Sequence, residues 1–288
     1  GFKIVLASVL VLIVASSSYL LYLNNQDDSR YIQVSQERFD QLSNSIDQAI
    51  KASKKSALKG IKLLEAIDKL PKLLQNRKNY ILSRLYAEVG EVALAFINAY
   101  EVDKTYIPRY SAFHKMSIAK EIGLEAVVIE QLNLLTGKYP KDPKFLYELA
   151  KSYSRQNLLE EAQNHFKSIQ VIFPDSQYAA GSDYYLANIT SDQEERYTRF
   201  TKYLTKNPEG SLAYLISDQI LSLEPGEQSK FSKLTNHIGL SYYHNENYTK
   251  ALKFFNTDFD KPELYLEAYA RSLVETKQKS KAKQLLID

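Results

Sequence analysis

Three prolines, Pro140, Pro174 and Pro208, stand at one step along the chain, since 174 − 140 = 34 and 208 − 174 = 34. Eight residues before each stands a large apolar side chain: Leu132, Phe166 and Phe200. A period of this length is too short for a domain and too long for a single ordinary helix, so it marks a supersecondary unit used repeatedly. Between the prolines apolar residues recur at helical spacing. Proline ends such runs because it lacks an N–H and its ring clashes with the preceding turn. The pattern predicts stacked helical hairpins, each needing a neighbour to bury its apolar face.

The best-formed unit runs from Pro143 to Pro174, PKFLYELAKSYSRQNLLEEAQNHFKSIQVIFP. It resembles the tetratricopeptide repeat, with Leu146 where that family often has Trp and Leu149-Ala150 where it has Leu-Gly; Tyr153, Ala162, Phe166 and Pro174 match the remaining markers. Large residues on the first helix, Leu146 and Tyr153, are expected to meet Ala162 and Phe166 on the second. A second unit carries Gly239, Tyr242, Ala251 and Phe255 at the same internal spacings, and a third follows with Ala270, Leu273, Ala282 and Leu286. Between Gly210 and Ser232 the register slips, with a turn at Glu224-Pro225-Gly226, and units upstream of Pro140 are degenerate. The expected fold class is all-α: an N-terminal transmembrane helix (1–25), a helical stalk or cap (26–79), and an α-solenoid of irregular hairpins (80–288).

The membrane element is residues 4–23, IVLASVLVLIVASSSYLLYL, twenty residues without a charge. As a helix they would span about 30 Å, the thickness of a bilayer's hydrocarbon core. A cleavable signal peptide ending at Ala15–Ser18 is the competing reading, but the apolar run continues through Tyr19–Leu23, which favours a retained signal anchor. Lys3 before the run and Asn24-Asn-Gln-Asp-Asp28 after it place the N-terminus in the cytoplasm and the bulk in the periplasm or an equivalent lumen. Arg30 to Gln75 reads as one or two long helices, with Phe39, Leu42, Ile46, Ala49 and Ile50 on one stripe, then Ala57, Ile61, Leu64 and Ile67, and a boundary at Pro71. Lys51, Lys54, Lys55, Lys59 and Lys62 form a basic run, either a solvated helix face or a contact for anionic headgroups.

Composition closes several routes. With no Cys there is no disulfide scaffold, thiol nucleophile, cysteine-ligated metal or lipoprotein anchor. The 37 basic and 34 acidic side chains nearly cancel, against a dedicated nucleic-acid binder. His237 and His244 stand seven apart without the further ligands a zinc site needs, and Glu160-Glu161 and Glu194-Glu195 read as solvated faces rather than acid–base pairs. There is no phosphate loop, dinucleotide fingerprint or GxSxG elbow. No catalytic site, cofactor or metal is therefore expected in this chain. The 22 tyrosines suggest binding instead. By register the concave face of first helices carries Tyr147, Lys151, Arg155, Tyr185, Asn188, Tyr243 and His244, whose rings, amides and cations could hold a glycan strand or an extended peptide.

The signal-anchored, irregular hairpin array and the late unit GLSYYHNENYTKALKFF resemble the non-catalytic superhelical region of soluble-type lytic murein transglycosylases, over roughly residues 80–288. That resemblance implies an arm that positions peptidoglycan glycan or partners for a lysozyme-like domain. The family's catalytic Glu-Ser pair does not occur, the Gly-Leu-Met-Gln-type segment is missing, and the one Met is Met116, so the catalytic half is expected beyond Asp288. The alternative is a tetratricopeptide-type scaffold of an envelope or membrane complex without enzymatic activity.

Overall fold

A computed structural model describes residues 31–256 and 262–287. The apolar run at 4–23, with the membrane reading attached to it, lies outside the described residues. Among those described, no helix is long and apolar enough to cross a membrane. The chain divides into two compact units, 1–137 and 138–288, each built of α-helices.

In the first unit α1 (Gln36–Ser53) and α2 (Ala57–Glu65) form a hairpin, α3 (Lys72–Glu88) and α4 (Val92–Tyr100) a second, followed by α5 (Pro108–Glu121) and α6 (Glu125–Lys138). Of the expected stripes, Leu42, Ile46 and Ala49 on α1 and Ile61 and Leu64 on α2 are buried, while Phe39, Ile50, Ala57 and Ile67 are half-buried. Ser35 and Ser56 start these helices by accepting from Arg38 and Lys59 backbone N–H groups. Pro71 is the residue before α3, as its boundary role required, and residue 80 lies inside that helix.

The second unit holds α7 (Pro143–Arg155), α8 (Leu159–Ile172), α9 (Gln177–Ile189), α10 (Gln193–Lys206), α11 (Ala213–Leu221), the single turn α12 (Pro225–Gln228), α13 (Thr235–His244), α14 (Tyr248–Ala251), α15 (Pro262–Glu275) and α16 (Lys279–Leu285). Each periodic proline sits two residues past a helix end: Pro140 after α6, Pro174 after α8 and Pro208 after α10. Leu132, Phe166 and Phe200 are all buried. In the unit from Pro143, Leu146 and Tyr153 pack against a core holding Ala162 and Phe166. The register slip has a structural cause. Where a second helix is due after α11, the chain forms α12 and a 3-10 turn over Ser229–Leu234, which still delivers Phe231 and Leu234 to the core. In the last pair Ala270, Leu273 and Ala282 are buried, but Leu286 is exposed beside an open groove with Ala270 and Val274.

One turn recurs. A residue with positive φ follows α3 (Gly90), α5 (Gly123), α7 (Asn157), α13 (Glu246) and α15 (Lys277). After each, the next N–H closes back on a carbonyl five residues earlier: Glu91 on Tyr86, Leu124 on Ala119, Leu158 on Tyr153, Asn247 on Tyr242 and Gln278 on Leu273. This left-handed cap satisfies carbonyls that a helix end leaves open. The steps 123 − 90 = 33 and 157 − 123 = 34 carry the repeat upstream of Pro140, into the stretch whose side-chain pattern is degenerate.

Candidate functional site

Among the first helices of the second unit α7 packs on α9 and α11 on α13, α9 and α11 being joined by a side-chain hydrogen bond from Gln219 to Asn188; α8 packs on α7 and α9, and α10 on α9. Asp142 caps α7 by accepting from Lys144 N–H, and Ser176 caps α9 by accepting from Ala179 N–H. These caps fix where each helix begins, and so which side chains share a row.

Three positions of that row are Lys151 on α7, Tyr185 on α9 and Gln219 on α11, each 34 residues from the last. Lys151 Nζ lies 6.0 Å from the Tyr185 ring centroid and 5.4 Å from that of Tyr147, and pairs with Glu148 at 2.9 Å. One turn along α9, Asn188 accepts from Gln219 Nε2 at 3.1 Å while its own amide donates to the Tyr184 carbonyl. Beside Gln219, Asp218 accepts from Tyr242 Oη on α13 at 2.6 Å and from Lys250 Nζ at 2.9 Å. Side-chain contacts thus run from α7 to α13 without leaving the first helices, apart from Lys250 on α14.

Tyr147 supports this strip from beneath. It is 9% exposed, and its ring meets Phe166 edge-on at 5.8 Å, Tyr178 at 5.3 Å and Tyr185 at 5.7 Å. Phe166 and Tyr185 stack at 5.0 Å. Burial, with Tyr185 and Glu148 alongside, pushes the Tyr147 hydroxyl well above the ordinary phenol range. Behind α9, the buried Asp183 accepts from Gln170 on α8 and pairs with Arg199 (3.1 Å) and Lys202 (2.8 Å) on α10. That ion group holds the three helices in register, its charges offset by several hydrogen bonds. At Asp218 burial raises the carboxyl pKa, but Tyr242 and Lys250 outweigh it and hold the group below its usual range.

The expected site residues fall into two groups. Tyr147, Lys151, Tyr185 and Asn188 belong to this strip, and Arg155 lies a turn past Lys151, exposed and donating to Ser152. Tyr243 and His244 sit at the end of α13 in a group of their own, Tyr243 against Tyr248 and His244 at 4.0 Å from Glu209. Sequence reasoning passed over Glu148, Tyr184, Asp218 and Gln219. Extending the 34-residue step from Lys151 through Tyr185 reaches Gln219 directly. The acidic pairs lie in the first turns of α8 and α10, where carboxylates complement the helix dipole. Among the described residues no group of His, Cys, Asp or Glu could hold a metal ion. The strip offers aromatic faces, amides and internally neutralised cations, a surface suited to binding.

Residues 145–176 match the tetratricopeptide repeat family. No curated protein matches the chain. Among solved structures, a tetratricopeptide repeat protein from Parabacteroides merdae is similar at 13% identity, covering 86% of this chain and 91% of that one, with a TM-score of 0.44. BtubC (BKLC) from P. vanneervenii is similar at 14% identity over 85% of this chain and 93% of that one, with a TM-score of 0.35.

Proposed function

We propose that this helical-repeat protein is a non-enzymatic scaffold that holds an extended segment of a protein partner along the strip from Lys151 to Asp218. The observation that carries the reading is the row Lys151, Tyr185 and Gln219, one repeat position presented three times by neighbouring helices. Lys151 is neutralised by Glu148 and Lys250 by Asp218, so recognition would rest on stacking and amide hydrogen bonds more than on charge. Repeats of this type generally bind proteins. The narrower reading, an arm that positions peptidoglycan glycan for a lysozyme-like domain, rests on sequence resemblance alone, and the matched family adds nothing to it. Anchoring through residues 4–23, with the bulk in the periplasm, is likewise part of the proposal.

A photo-crosslinking residue at Asn188, on the strip, and one at Val171, 80% exposed on α8, would test it in the native host. The expected result is a discrete protein adduct from position 188, absent from 171 and lost when Lys151→Ala and Tyr185→Ala are added. Adducts of equal yield at both positions, or glycan captured at 188 in place of protein, would overturn the partner assignment.

A further inference from the structure

Between Gln48 and Leu64 the chain carries five lysines and no carboxylate. The whole chain has 37 basic and 34 acidic side chains, so without these five the balance is 32 against 34. This stretch of the hairpin is therefore a local excess of five positive charges in a chain otherwise close to neutral. Lys51 is in the last turn of α1, Lys54 and Lys55 are in the connection, and Lys59 and Lys62 are on α2; all five are exposed.

Helix α2 buries Gly60, Ile61 and Leu64 on one side. On the other stand Leu58, Lys59, Lys62 and Leu63, which at 100° per residue share an arc of about 140°. Leu58 is 67% and Leu63 41% exposed, so two large apolar side chains face water among the cations. The carboxylates that bracket the run in sequence are engaged elsewhere: Asp47 pairs with Arg77 at 2.5 Å, and Glu65 accepts from the Tyr86 hydroxyl, which it helps burial push up to about 12.

We propose that this hairpin tip docks on an anionic lipid bilayer, with the lysines among headgroup phosphates and Leu58 and Leu63 at the acyl boundary. A helix with basic and apolar residues on its outward face suits that interface. Lysines near such a surface each add attraction, whereas a nucleic-acid site would favour arginine forks and stacked aromatics, and residues 48–64 contain neither. The tip's charge does not depend on what residues 4–23 do, although a membrane segment there would keep the hairpin near a bilayer.

The chain contains no Trp, so Leu58→Trp in the full chain gives a single local reporter that an anchor elsewhere would not move. Its emission should shift to the blue and be quenched by brominated lipid in phosphatidylcholine vesicles containing phosphatidylglycerol. It should not respond to phosphatidylcholine alone, and high salt should reverse the shift. At roughly fivefold per lysine, adding Lys54→Gln, Lys55→Gln and Lys59→Gln should raise the lipid concentration for half-shift by on the order of a hundredfold. Three outcomes would overturn the proposal: emission unmoved by anionic vesicles in a variant whose circular dichroism matches the parent, an equal shift on neutral vesicles, or the same shift with short duplex DNA.

Discussion

Gly181 shows how one missing Cβ sets the candidate site. A Cβ there would stand 2.5 Å from Tyr147 Oη and 3.0 Å from its Cζ, on a ring held by Phe166, Tyr178 and Tyr185. The ring has little room to retreat, because buried side chains pack at close to crystal density. Gly181→Ala should therefore destabilise the second unit by about 1–3 kcal/mol, the usual cost of overpacking. Adding Tyr147→Phe should return part of that loss, since the closest contact is the hydroxyl and the 3.0 Å contact with Cζ stays. Urea midpoints for the two single variants and the double variant give the coupling; additive losses would mean that the two residues do not press on each other. The sequence marked Tyr147 as a candidate binding residue on an exposed face, but its burial and its dependence on Gly181 were not visible there. Gly181 occupies the position 34 residues on from Tyr147, so the period placed them on neighbouring helices, but contact between them depends on helix separation.

The hairpin turns show which elements were legible and why. Prolines at a 34-residue step called for a helix to stop before each, and the helices end at Lys138, Ile172 and Lys206, because a proline's constraint acts locally on the backbone that carries it. The turns upstream left no such mark. A left-handed cap needs only a positive φ, which Gly90 and Gly123 adopt freely, but which Asn157, Glu246 and Lys277 also adopt at some cost. Replacements at the two kinds of turn should accordingly act with opposite signs. Gly90→Ala meets no atom within 4 Å, so its expected loss of about 1 kcal/mol comes from the backbone alone. Glu246→Gly should raise stability by a few tenths to 1 kcal/mol, since glycine is favoured at that cap. Thermal midpoints moving in opposite directions would support a shared turn, and two losses would show that the Glu246 side chain contributes more than its strain removes. The break after α11 was legible as a slip in register, but its replacement by α12 and a 3-10 turn was not, because Phe231 and Leu234 reach the core from a segment without helical periodicity.

At the scale of the whole chain, stability should be local. Helical repeats contact mainly their neighbours, so their free energy approximates a sum of units and interfaces rather than one cooperative total. The division into 1–137 and 138–288 gives that expectation a boundary. Phe166, fully buried and touching both Tyr147 and Tyr185, is the side chain on which the α7–α9 core turns. Phe166→Ala should cost about 3–5 kcal/mol by opening a cavity there, whereas Val171→Ala, at an exposed position on the same helix, should stay within about 0.5 kcal/mol. Hydrogen exchange resolves where that loss is felt. Amides of α7 through α10 should lose protection in Phe166→Ala, while those of α3 and α4, around the buried Ser83 and Ala95, should keep theirs. Equal loss across both units would mean that the chain unfolds as one body, and the interfaces between repeats would then outweigh the repeats themselves. Confinement to the second unit would let the candidate strip be altered, residue by residue, without disturbing the lysine-bearing hairpin in the first.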